Sequence, residues 1–220
     1  MAPADAFLKD YATVAFYEEG ASFQDRKLMR WCRPVSVYLP ESLPDAAAAS
    51  AAETLDWLAG TEGLSLTMPG DPAMASLVVK TPATTIERDR IVDETFPHDR
   101  YSRRRMKKAT CFFEISTEVN GCILRGSVVV PAYHTPALQT HCMAEELVQA
   151  MGLPNDGSFG PESVFSSGSA AVTASPRDRL FVRLHYHPGL RPGMSRQEAL
   201  AAARRNATDL LSEADRLEPQ

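Results

Sequence analysis

Between Thr110 and Val130 the chain carries two runs of alternating apolar residues joined at Asn120-Gly121, and no other stretch narrows the possible folds as much. Asn-Gly between such runs is the short-range signature of a two-residue β-hairpin. The turn pairs Val119 with Cys122 and Cys111 with Val130, so a direct bridge between Cys111 and Cys122 needs another register. Because side chains alternate across a strand, Cys111, Phe113, Ile115, Val119, Leu124, Val128 and Val130 share one side, a face suited to receiving a helix. A helix follows at once. Thr135 is its cap, Pro136 stands in its first turn, Gly152 ends it, and Leu138, Met143, Leu147, Val148 and Met151 form its apolar stripe. Strands followed by a helix that covers them predict an α+β domain.

The remaining pattern fills in that class. Phe7 to Tyr17 reads as a short amphipathic lead-in, and Leu28 to Tyr38 carries the first strand, with Pro34 near its start. Asp45 to Leu58 is an alanine-rich helix capped by Asp45 and ended before Gly60 and Gly63, and Leu77-Val78-Val79 is a short strand. Asn155 to Ala174, rich in Gly, Ser and Pro, is a long loop crossing the front of the central helix. Ser195-Arg196-Gln197-Glu198 opens the last helix as a capping box, and Leu200, Ala203, Ala207, Leu210, Ala214 and Leu217 make its three-four repeat. With 220 residues, 44% of them hydrophobic, the expected division is a domain over 1–194 and a C-terminal helix over 195–220 packed on it.

The central helix also carries the chemistry-bearing residues. From Glu145 to Asp156 the chain keeps the spacing of the extended zinc-protease motif H-E-x-x-H-x-x-G-x-x-H and loses every histidine. Glu145, Gln149 and Asn155 stand at the three metal-ligand positions, Glu146 at the general-base position and Gly152 at the helix-ending glycine. Two neutral amides and a carboxylate offer only oxygen donors, which suit hard cations better than zinc, so neither metal nor cofactor is expected. A lone Glu146 makes no hydroxide at neutral pH, because the metal normally lowers the pKa of its bound water to about 7. The plain alternative is a helix with a polar ladder, His141, Glu145 and Gln149, turned to solvent.

Trp31-Cys32-Arg33-Pro34 with the apolar strand after it, the Glu145 to Asp156 run, Ser163-Val164-Phe165, Asp178 with Leu184 and Tyr186, and Pro192-Gly193-Met194 together resemble a bacterial domain-of-unknown-function family found mostly in envelope proteins. More distantly, the later part is similar to the matrixin branch of the metzincins. That likeness implies a zincin-like mixed sheet packed on the motif helix. Phe165 would replace the methionine of the turn beneath the metal, and Asp178 to Tyr186 would form the helix after it. The resemblance supplies no established reaction.

Charge and cysteines bound the function. A net charge of −5 argues against a general nucleic-acid binder, and no run approaches the ~18 apolar residues of a membrane span. Met1 to Asp5 is no export signal, so the protein is either cytosolic or lacks a signal removed earlier; the resemblance favours a periplasmic, secreted or envelope-anchored location. Cys32, Cys111, Cys122 and Cys142 contain no C-x-x-C pair, and their connectivity, or their remaining free thiols, stays open. Arg100, Arg103, Arg104, Arg105, Lys107 and Lys108 form a basic segment that reads as a solvated helix or loop, or else as a site for an anionic ligand. His185 and His187 lie near a helix end, where terminal carbonyls or solvent are their expected partners; with His134 and His141 they are the candidate replacements for the lost zinc ligands. Ser166, Ser167 and Ser169 have no elbow motif or paired base.

The leading expectation is an inactive pseudo-metalloprotease domain that binds a protein or peptide of unknown identity, with His141, Glu145, Glu146, Gln149, Asn155, Phe165 and Tyr186 as candidate binding residues. The second is a hydrolase or peptidase with a rebuilt metal site and Glu146 as base. Oligomeric state is not legible.

Overall fold

A computed structural model describes residues 3–16 and 27–217. Its elements run α1 (Pro3–Phe16), β1 (Arg30–Trp31), β2 (Val35–Tyr38), α2 (Asp45–Ala59), β3 (Leu66–Thr67), β4 (Leu77–Lys80), α3 (Thr85–Thr95), α4 (Arg100–Met106), β5 (Phe112–Thr117), β6 (Cys122–Val129), α5 (Pro136–Gln149), α6 (Pro176–Tyr186) and α7 (Arg196–Leu217). Among the described residues seven α-helices and a mixed sheet make this an α+β protein.

β6 is the hub of the sheet. Its first residues pair in parallel with β1 and its last four with β4, while β5 lies antiparallel along its other edge. β2 joins β4, and β3 joins β2, both in parallel. The hairpin register is the expected one from Phe112↔Val129 to Ser116↔Arg125, then slips at Ser116/Thr117, where Thr117 meets Ile123. That irregularity ends the shared face early: Val119 is 91% exposed and Leu124 45%, contrary to the alternation. Phe113, Ile115, Val128 and Val130 do join the main core with Met143, Leu147 and Met151. Phe112 and Val129, on the opposite pleat, pack with Val92 in a second small core. Both faces of the hairpin are therefore covered.

Local chemistry explains several departures from expectation. The segment from Leu28 to Tyr38 divides at Cys32-Arg33-Pro34 into two short strands, because proline cannot continue the ladder. Pro44 occupies the cap of α2 and Asp45 is its first helical residue, with no side-chain cap bond. α3 was not anticipated, although Thr84 accepts from the Glu87 amide and the Glu87 carboxylate accepts from the Ala83 amide, a readable capping signal. The basic segment forms α4, capped by Asp99, and Lys107 pairs with Asp93 at 2.8 Å.

The cysteines form two bridges, Cys32–Cys122 and Cys111–Cys142. The first fastens the chain after β1 to β6, and the second ties the start of β5 to α5. α2 packs closely on α5 through Ala47, Ala51 and Ser50, whose hydroxyl donates to the Thr140 carbonyl at 2.9 Å. α7 lies against α1 and α6, burying Ala199, Ala203 and Ala207 and most of Leu210; its Ser195-Glu198 capping box is formed. Tyr17, expected within the first helix, and the side chains of Ala214 and Leu217 fall outside the described part.

Two of the singled-out motifs are welded to distant parts of the chain. Asp178, wholly buried at the start of α6, accepts from the Ser163 hydroxyl at 2.6 Å and from the Val164 and Ser175 amides at 3.0 and 2.9 Å. Three donors offset the cost of burying its carboxylate. Gly193, at φ +82°, presses on the hairpin turn so closely that a Cβ there would sit 2.5 Å from the Asn120 carbonyl oxygen.

Candidate functional site

α5 positions His141, Glu145, Glu146 and Gln149, and its start follows from Thr135, whose hydroxyl accepts from the Leu138 amide. Its buried stripe faces the sheet and α2, which leaves His141 and Glu145 in a half-covered row one turn apart. The helix stops where Gly152 takes φ +103°. A Cβ at that position would lie 2.2 Å from the Met29 carbonyl oxygen and 2.9 Å from His185 Nε2, so only glycine lets the strand leading into β1 pass beneath the helix end.

His141 Nε2 is 3.1 Å from the Glu145 carboxylate, and Nδ1 is 2.7 Å from the Ala171 carbonyl oxygen. Acceptors at both ring nitrogens call for the doubly protonated imidazolium. The Glu145 hydrogen bond, helped by the Ala171 carbonyl and the nearby charges of Glu145 and Asp156, raises the His141 pKa against the opposing effect of burial. Ala171 belongs to the long loop, which thus crosses the helix as expected, and Thr173 of the same loop donates to Glu53 on α2 at 2.6 Å.

Beside this pair Glu146 is buried, and burial together with the Glu145 and Asp156 charges holds its carboxyl well above the ordinary carboxylate range. The backbone of Phe113 on β5 hydrogen-bonds to it and opposes that rise. Gln149 donates its amide to the Asp156 carboxylate. Asn155 is turned elsewhere: its side-chain amide donates to the Val14 carbonyl at 3.2 Å and fixes the end of α1. Of the three expected ligand-position residues, Glu145 and Gln149 therefore share a cluster with His141, Glu146 and Asp156, while Asn155 serves the contact with α1. Asp156 is the member that the motif spacing did not single out, although it directly follows the last motif position.

Donor oxygens of Glu145 and Glu146 and the sulfur of Cys111 lie within 4.8 Å of one another. Cys111 is bonded to Cys142, so its sulfur is not a thiolate, and two carboxylate oxygens remain. Such a set does not fit a tetrahedral zinc centre.

Phe165 and Tyr186, expected among the binding residues, are core residues with no exposure. Phe165 packs edge-on against Phe181, and the Tyr186 hydroxyl donates to the Met151 carbonyl at 2.9 Å. The other histidines are also in structural service. His185 is fully buried rather than at a helix-end carbonyl or in solvent: its Nε2 donates to the Met29 carbonyl at 2.7 Å and its Nδ1 accepts from the Tyr11 hydroxyl at 3.0 Å. His187 accepts from the Gly189 amide, and His134 Nε2 lies 2.9 Å from the Thr110 carbonyl oxygen.

Fold and cluster together define an α+β domain in which a helix that stops at Gly152 carries an acidic and amide-rich face beside an antiparallel edge strand. The chain belongs to the family described as protein of unknown function (DUF2927), whose model matches residues 4–205. No curated protein and no solved structure matches it. Among the described residues no helix is long and apolar enough to cross a membrane.

Proposed function

We propose that this domain is a zincin-like module without hydrolytic activity that binds an extended peptide or protein segment in the bacterial envelope. The observation that carries the reading is the fate of the motif donors: Glu145 is paired with His141, Gln149 is spent on Asp156, and Asn155 is spent on Val14. The order of elements supports the likeness, with an antiparallel edge strand, β5, beside a parallel sheet and a motif helix behind it. Among the described residues β5 has no strand partner beyond β6, so its outer edge can accept a peptide by strand addition, a mode that needs no metal. Two disulfides suit an oxidising compartment and support the envelope assignment. The rival reading, Glu146 as the base of a rebuilt metal centre, meets a carboxyl that burial holds well above the ordinary carboxylate range.

Elemental analysis of protein purified without chelator tests the first half of the proposal. No stoichiometric transition metal is expected, and one tightly held zinc per chain would reject it. Capture from envelope extract, comparing wild type with Ile115→Pro, which removes an amide that points away from β6, tests the second half. Loss of the captured protein is expected, whereas unchanged capture would place the binding surface elsewhere.

A further inference from the structure

A redox-active group borders the α5 cluster: the bridge from Cys111, just ahead of β5, to Cys142 on the helix itself. The Cys111 sulfur and one carboxylate oxygen each of Glu145 and Glu146 lie within 4.8 Å of one another. Cys142 supplies the second sulfur, and it precedes Glu145 by three residues and Glu146 by four, so all three stand on one face of α5. Two sulfurs and two carboxylates therefore meet at one place. Bonded to each other, the sulfurs hold no metal.

Opening the bridge changes the donor set. A dithiol reductant attacks the half-buried Cys111 sulfur and displaces Cys142; its second thiol then resolves the mixed disulfide, so the reductant leaves as its own disulfide and the chain keeps two thiols. Zinc binds thiolates and carboxylate oxygens at about 2.0–2.3 Å, which sets neighbouring donors about 3.5 Å apart, and the two thiol protons pass to solvent. A contraction of about 1 Å brings the present donors to that spacing. Strand and helix stay together without the bridge, because Phe113 and Ile115 of β5 share a core with Met143 and Leu147 of α5, and the Phe113 backbone hydrogen-bonds to Glu146. His141, 3.1 Å from Glu145 and 2.7 Å from the Ala171 carbonyl oxygen, holds the Glu145 carboxylate in place. We propose that reduction of the Cys111–Cys142 bridge creates a closed zinc site from Cys111, Cys142, Glu145 and Glu146, whereas the bridged chain binds no zinc. The site stands whether or not β5 accepts a strand.

The full chain, reduced with a phosphine and freed of it under nitrogen, gives the test by titration with cobalt(II) and then zinc. Reduced wild type should take one cobalt per chain, with a thiolate-to-metal charge-transfer band and the intense visible bands of a tetrahedral ion, and zinc should displace it. Bridged wild type should show neither band. The double variant Cys111→Ala and Cys142→Ala, reduced in the same way, keeps Cys32 and Cys122 and should also show neither, which separates the site from the other cysteine pair. Glu145→Gln keeps every sulfur and should weaken zinc by about tenfold or more. If reduction unfolds the chain, zinc should restore its dispersed amide NMR spectrum. Equal uptake by reduced wild type and the double variant, unchanged affinity in Glu145→Gln, a reduced chain that takes no metal, or one that stays unfolded with zinc present overturns this proposal alone. Tight zinc in the bridged chain overturns both this proposal and the metal-free reading of the domain.

Discussion

His185 makes this fold sensitive to mild acid, and the size of the effect follows from its surroundings. The ring is wholly buried, with Nδ1 accepting from Tyr11 and Nε2 donating to Met29, so both nitrogens are used by the neutral tautomer. Burial lowers its pKa from 6.5 to about 4; the Met29 carbonyl opposes the fall and the Arg30 charge adds to it. The titratable and charged groups facing it are Tyr11, Tyr186 and Arg30, and none of these changes charge between pH 4 and 7. In the unfolded chain the imidazole takes its proton below about pH 6.5, while the folded chain refuses it until about pH 4. The contribution is thus complete above the unfolded pKa and is lost as pH falls through the interval between the two values. The difference, 6.5 minus about 4, corresponds to about 3 kcal/mol at full protonation, of which about 2 kcal/mol is gone at pH 5. Urea denaturation of wild type and His185→Gln at pH 7 and pH 5 isolates the effect, because the other titrating groups are common to both. Glutamine keeps a donor for Met29 and an acceptor for Tyr11 without a proton to gain. The wild type should lose about 2 kcal/mol more than the variant on acidification. Parallel losses in the two proteins would refute the reasoning.

Glu146 has the opposite sign: its raised folded pKa means that stability present below the unfolded carboxylate pKa declines as pH rises through the folded value, so Glu146→Gln should be the more stable protein at pH 8 in urea titrations, with the gap narrowing towards pH 4. Gly152→Ala, which brings a Cβ against the Met29 carbonyl at a positive φ, should cost about 3 kcal/mol in the same assay or prevent folding. Replacing both Cys111 and Cys142 by Ala removes a bridge across 31 residues and should lower stability by about 4 kcal/mol, read as a falling thermal midpoint under non-reducing conditions.

The hairpin, the central helix and the last capping box were legible because each is a local pattern. Alternation across Asn120-Gly121, a Thr-Pro start with a glycine end, and Ser195 three residues before Glu198 report bonds made within a few residues. Val119 and Leu124 misled because period alone does not reveal the register slip at Ser116/Thr117 that ends the shared face. α3 was missed because its apolar content is thin and Val92 is its one fully buried residue. The site divided in the same way. The neighbourhood of His141, Glu145 and Gln149 follows from helical spacing, whereas Asn155 turning to Val14 and Asp156 receiving Gln149 depend on where α1 and the long loop come to rest.

What the residue order settled alone is therefore the short-range part: an α+β class, a helix carrying a polar row of His141, Glu145 and Gln149, and a net charge of −5. Packing across the whole chain decided the rest. Cys142 bonded to Cys111, Asp178 to residues around Ser163, and His185 to Tyr11 and Met29, although 31, 15 and 174 residues separate the first-named pairs. Contacts between residues so far apart arise only when a core excludes water and makes every buried polar atom find a partner, and no local pattern records which partner that is.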